Sequence, residues 1–254
     1  MINWEEKLNI FLSGFEHAKD IDGILVCGSY ITGNPSNHSD LDVHIILDDN
    51  VGYRERGNRI IDGLLIEYFS NPPKQILKYF DGDMEDNSLM SQVQFATGKI
   101  ILDKSGAVKS LKEKALSMID DFYKNENQAM SESTKYSCWD MLDNLQDAFE
   151  NNKPDFDILY FNLLNWLISA YMNSINRPYK LNTIFGNITS KIVRDKYLLR
   201  ELPDANINEL IVRCIKAVDR YEKMKLYQSL TNEIINKFGG FDVDKYKLKS
   251  DVEI

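Results

Sequence analysis

The chain has 254 residues, 43% of them hydrophobic and 27% charged, with a formal net charge of −9. That length allows one large domain or two modest ones, each with its own core. The acidic balance counts against a broad nucleic-acid surface, which needs clustered lysine and arginine to neutralise phosphates, and fits a small or cationic substrate better.

No apolar run reaches the roughly 18 to 20 residues of a membrane span. The opening "MINWEEKLNIFLSGFEHAKD" carries acids early and does not read as a secretory signal. Trp4, Leu8, Phe11, Leu12 and Phe15 recur at helical spacing, which predicts an amphipathic helix over residues 3 to 19. "GILVCG" is a short apolar run ending in glycine, a buried strand entering a turn, and "LDVHIIL" (41–47) is a second strand. "RIIDGLLIEYFS" (59–70) is β-rich with a turn or bulge at Asp62-Gly63. Pro72 and Pro73 end the sheet and open a helix, a second helix is expected at 86–96, and "KIILDKSG" is a further extended segment.

From about residue 107 the pattern becomes helical. Val108, Leu111, Ala115, Leu116, Ile119 and Phe122 form one stripe, "NENQAMSES" is a polar connection, and helices are expected near 130–151, 155–176, 187–200 and 205–237. Pro154, Pro178 and Pro203 fall at the joints. The expected division is 1–106, mixed α and β, and 107–254, all helical. The tail "DVDKYKLKSDVEI" reads as a solvated, frayed end. Three widely spaced cysteines (Cys27, Cys138, Cys214) in apolar contexts read as reduced core thiols of a cytoplasmic protein.

The chemistry concentrates in "LVCGSYITGNPSNHSDLDVHIIL" (25–47). Side chains alternate along a strand, so Asp40 and Asp42 share a face while Leu41 and Val43 turn to the core. Two adjacent carboxylates repel, and a divalent cation with oxygen ligands relieves the conflict. Glu67, set among apolar residues in "LLIEYF", reaches them if its strand lies beside 41–47. On the other side, Gly28 lets a backbone approach a phosphate without a β-carbon in the way. Ser29 adds a hydroxyl and an amide, and a helix starting near Tyr30 would aim its positive end at the same spot. Phosphate donors beside an acid cluster suit a nucleoside triphosphate chelated to Mg²⁺.

Gly-Ser, about ten residues, Asp-x-Asp on a strand and a third acid on a later strand resemble the signature of the DNA polymerase β-like nucleotidyltransferase superfamily, with Gly28, Ser29, Asp40, Asp42 and Glu67 at the matching positions. The layout is similar to small bacterial nucleotidyltransferases acting on aminoglycoside or lincosamide antibiotics. The resemblance implies an α+β fold: a palm-type mixed sheet with flanking helices, plus an all-helical C-terminal domain that binds substrate. It also implies transfer of a nucleoside monophosphate, AMP from ATP or another triphosphate, to a hydroxyl of a small-molecule acceptor. Two Mg²⁺ ions would be held by Asp40, Asp42 and Glu67, Glu67 doubling as the base. Lys180, in "NRPYKLN" with Arg177 and Tyr179, could reach a triphosphate from the second domain.

The bland readings stand beside these. His44 shares the face of the two aspartates but reads as a packed neighbour, since Mg²⁺ prefers oxygen. His38 is expected to be exposed in the loop, and Ser39 to brace the turn. Leu159, Leu163, Trp166 and Ala170 read as core packing. Alternative functions are a protein-modifying (AMPylating) transferase of antitoxin type and a catalytically silent nucleotide-binding regulator. A toxin-like RNase module is disfavoured because no histidine follows His44, and an RNA-extending transferase by the acidic balance. The protein is expected to be a monomer or homodimer without a membrane or nucleic-acid partner.

Overall fold

The computed structural model describes residues 3–124 and 128–249. The chain divides after Lys124 into two units, each with its own core. The architecture is α+β, with a five-stranded mixed sheet in the first unit and helices in the second.

In the first unit, α1 (Trp4–Ser13) leads to β1 (Ile21–Cys27), the short α2 (Ser29–Thr32), β2 (Leu41–Leu47), β3 (Glu55–Ile61) and β4 (Leu64–Asn71). Then come α3 (Pro73–Glu85), α4 (Met90–Thr97), β5 (Lys99–Asp103) and α5 (Ala107–Lys124). The strands lie in the order β3-β4-β2-β1-β5. Only the β2–β4 pair is parallel. The central strands β1 and β2 are buried almost throughout, which is why they read as mostly apolar runs, interrupted by Asp22 and Gly23 in β1 and by Asp42 and His44 in β2. Edge strand β3 is mostly exposed, and its polar "ERGNR" start suits an edge that must not recruit another strand. Asp62 (φ 45°) and Gly63 (φ 80°) turn β3 into β4, a two-residue loop with both residues at positive φ, as the sheet's twist favours.

One sheet face, with Val26, Val43, Ile45, Ile66 and Tyr68, packs with Leu8 and Phe11 of α1. On the other face, Leu25, Cys27 and Ile46 pack with Ile76 and Phe80 of α3, Phe95 of α4 and Val108, Leu111, Ala115 and Met118 of α5. Helix α5 therefore belongs to the sheet's core, and the unit boundary falls after Lys124 rather than after residue 106. Helix α1 stops at Ser13, before Gly14, although Phe15 still packs against the same core.

The second unit holds α6 (Glu132–Glu150), α7 (Phe156–Ser174), α8 (Ile184–Thr189), α9 (Lys191–Lys196), α10 (Ala205–Lys216) and α11 (Arg220–Lys237). Tyr160, Tyr171 and Tyr227 are fully buried at its centre. Two of their hydroxyls are satisfied there, Tyr160 by the Cys214 carbonyl at 2.9 Å and Tyr171 by Asp204 Oδ2 at 2.6 Å, as buried hydroxyls require. The deepest stripe of α7 is Tyr160, Leu164, Leu167 and Tyr171; the expected stripe from Leu159 to Ala170 is the flank of that face. The expected helix 187–200 is two short ones, with Ser190 capping the second. The expected helix 205–237 is broken at 217–219, where Asp219 Oδ1 accepts from the Glu222 amide at 2.9 Å and starts α11.

Residues 125–127 of the polar connection and 250–254 of the tail lie outside the described residues. The described part of the tail is anchored rather than frayed: Tyr246 stacks on Tyr136 with centroids 4.6 Å apart and planes 5° from parallel. No helix among the described residues is long and apolar enough to cross a membrane.

Candidate active site

Strand β1 ends at Cys27, and Gly28 turns the chain into α2 with φ 76° and ψ −160°, a conformation that glycine adopts at no steric cost. The Gly28 carbonyl accepts from the amides of Ile31 (3.1 Å) and Thr32 (3.0 Å) and from Thr32 Oγ1 (3.0 Å). Gly28, at the N-cap of α2, has no side chain with which to cap it, and the first amides of the turn, those of Ser29 and Tyr30, have no intrahelical acceptor. A single turn carries little macrodipole. The expected helix end near Tyr30 is thus a single turn offering the Ser29 and Tyr30 amides and a serine hydroxyl rather than a strong positive pole.

The loop after α2 is held by serines. Ser39 Oγ accepts from the Ser36 amide at 2.9 Å, and the Ser39 amide donates to the Ser36 carbonyl at 3.1 Å. His38 is exposed. The loop delivers Asp40 to the start of β2.

Along β2, Asp42 lies opposite Cys27 of β1 and opposite Glu67 of β4, so the two carboxylates rise from the same face of neighbouring strands. Carboxylate oxygens of Asp40, Asp42 and Glu67 all lie within 4.8 Å of one another, and all three side chains are half-buried. The three acids singled out in the sequence are brought together. Carboxylates this close repel, and a donor set made only of carboxylate oxygens fits a hard divalent cation better than a soft one.

Arg56 is the residue that the sequence reading missed. Its Nη2 lies 2.6 Å from Glu67 Oε1, and its guanidinium sits over the Phe69 ring, 4.9 Å from the centroid. The signal was the Asp62-Gly63 turn: the hairpin register places Arg56 opposite Phe69 and Asn58 opposite Glu67. The expected strand began at Arg59, whereas β3 begins at Glu55.

His44 is buried on the same face, stacked on Phe69 (centroids 5.3 Å apart) and against Phe95 (4.8 Å). Burial lowers its pKa to about 4, partly opposed by a hydrogen bond with Gln94, so the ring is neutral near pH 7. It is a packed neighbour and not a member of the acid cluster. Burial also pushes the Cys27 thiol well up, with the charges of Asp42 and Asp40 adding to the effect.

Lys180 belongs to the second unit, where its side chain is exposed between α7 and α8. Beside it, Tyr179 donates to Asn165 Oδ1 at 2.6 Å, which ties this connection to α7.

No protein-family model and no curated protein matches the chain. Ten chains of solved structures match. Among them is the crystal structure of a nucleotidyltransferase-like protein from Exiguobacterium sibiricum 255-15, similar over 92% of this chain and 75% of that chain, with a TM-score of 0.47 and 9% sequence identity. A likeness at that score carries no argument, so what this chain does rests on its own residues.

Proposed function

We propose that the protein is a metal-dependent nucleotidyltransferase that moves a nucleoside monophosphate, AMP from ATP, to a hydroxyl of a small-molecule acceptor. The observation that carries this reading is the convergence of Asp40, Asp42 and Glu67 within 4.8 Å at the strand end from which the Gly28-Ser29 turn departs.

The residues divide the work as follows. The amides of Ser29 and Tyr30 and the Ser29 hydroxyl receive phosphate oxygens of the donor. Asp40, Asp42 and Glu67 hold divalent ions, Mg²⁺ by the hardness of their oxygens. Bound ions supply charge neutralisation at the phosphoryl group being transferred. Glu67 takes the acceptor's hydroxyl proton as the acceptor oxygen bonds to the α-phosphorus, and the bond from that phosphorus to the leaving pyrophosphate breaks. An antibiotic acceptor is the narrowest form of this proposal.

The test is to incubate the protein with each nucleoside triphosphate, Mg²⁺ and a panel of aminoglycosides, lincosamides, proteins and RNAs while following pyrophosphate release. ATP turnover that disappears in Asp42→Asn is the expected result. Undiminished turnover in that variant would remove the metal-site argument. Nucleotide binding with no turnover on any acceptor would favour the silent regulator, and turnover only on a protein the AMPylating alternative.

A further inference from the structure

We propose that Arg56 is a positioning residue of the acid cluster: it holds Glu67 while no divalent ion is bound and competes with the ion for that carboxylate. The inference rests on the reading of the cluster as a divalent-ion site.

Three observations carry it. First, the contact is short and direct, Nη2 to Oε1 at 2.6 Å, and it falls on the one member of the cluster that β4 contributes. Second, the pair is asymmetric: the Arg56 side chain is 70% exposed while that of Glu67 is 19% exposed. The carboxylate is turned inward and the guanidinium reaches it from solvent. Third, the guanidinium is seated rather than loose. Below it, Phe69 stacks on His44, His44 packs tilted against Phe95, and Phe95 meets Phe80 edge-on, with centroids 5.3, 4.8 and 5.4 Å apart. This column runs from the helix-covered core to the face of Phe69 on which Arg56 lies.

A guanidinium on an acid cluster relieves the same repulsion that a cation would. When a dication arrives, Glu67 must share its oxygens, and the dication repels the guanidinium at a separation of a few ångströms. The ion engages three carboxylates at once. Arg56, already largely in solvent, gives up a pair of the kind worth at most about five-fold in an equilibrium constant. Glu67 is therefore handed from arginine to metal at modest cost, and Arg56 lowers the affinity of the cluster by a similar factor. Lysine at 56 keeps the charge but loses the planar fork and the ring stacking, which separates a charge effect from a packing effect.

The experiment is a Mn²⁺ titration of the full chain without nucleotide, free ion being read by electron paramagnetic resonance, on wild type, Arg56→Gln, Arg56→Lys and Asp42→Asn. Circular dichroism melting checks that each variant is folded. The expected result is Mn²⁺ binding by wild type, loss of it in Asp42→Asn, and about three- to five-fold tighter binding in Arg56→Gln. Arg56→Lys should return to the wild-type affinity. If wild type binds and Asp42→Asn does not, yet Arg56→Gln binds equally or more weakly, the Arg56 proposal alone falls. It falls also if Arg56→Lys behaves like Arg56→Gln, because the effect is then packing. If wild type does not bind, or Asp42→Asn binds as well as wild type, the cluster is no ion site and both readings fall.

Discussion

Oδ2 of Asp42 lies against Gly28, inside the space that a β-carbon at residue 28 would need. The two meet because Asp42 pairs with Cys27 across β1 and β2. The sequence suggests a glycine that clears the way for a phosphate; the structure adds that it makes room for a carboxylate. Gly28→Ala strains the backbone at φ 76° and pushes Asp42 away from Asp40 and Glu67. The expected cost is about 2 kcal/mol of stability, with at least ten-fold weaker Mn²⁺ binding. Urea unfolding and ion titration measure the two, and unchanged ion affinity would mean that this contact does not place Asp42.

The buried imidazole gives the protein a pH dependence with a definite sign. His44 has a folded pKa of about 4 against an ordinary value of 6.5, so the unfolded chain binds a proton more readily than the folded one. Its contribution to stability is complete above pH 6.5 and is lost as pH falls towards about 4. Between pH 7.5 and pH 5 the loss from this group is about 2 kcal/mol. Urea melts at the two pH values should show it, and His44→Leu should flatten the difference. A variant that keeps the full wild-type slope would place the effect elsewhere.

All three cysteines are buried and free. Burial raises the Cys138 and Cys214 thiols to about 12 and Cys27 well above its usual value. Thiolate is the reactive form, so a disulfide-exchange reagent at pH 8 should label none of them in the native protein and all of them in urea. Rapid labelling of Cys27 in the native state would show that the β1 end opens.

The break between α10 and α11 can be tested through its cap. Asp219→Ala removes the acceptor for the Glu222 amide and should cost about 1 kcal/mol, read as a lower urea midpoint. An unaltered midpoint would mean that the cap contributes little to the stability of the fold.

Much of the sheet was legible because its signals are local. The run 41–47 is β2 to the residue, since a strand buried on both faces is apolar over most of its length, Asp42 and His44 being the exceptions here. Asp62-Gly63 marked its turn; Asp40, expected on the strand, lies just before β2, and its carboxylate still joins those of Asp42 and Glu67. The polar start of β3 was not legible: an edge strand facing water has no alternation to read. The break at 217–219 was missed because the apolar spacing runs across it, although Asp219 and Glu222 carry the pattern of a cap.

The chain by itself determined that Asp42 and Glu67 lie on strands, where the glycine turn falls and that the second half is helical, because periodicity and turn chemistry act over a few residues. Only the tertiary structure decided that β4 runs parallel beside β2, which sets Glu67 opposite Asp42, and that the 107–124 helix closes the sheet's core. It alone set Asp42 against Gly28 and Arg56 on Glu67. These are pairings between residues far apart along the chain. Their choice depends on how whole faces are buried together, which no short stretch of sequence encodes.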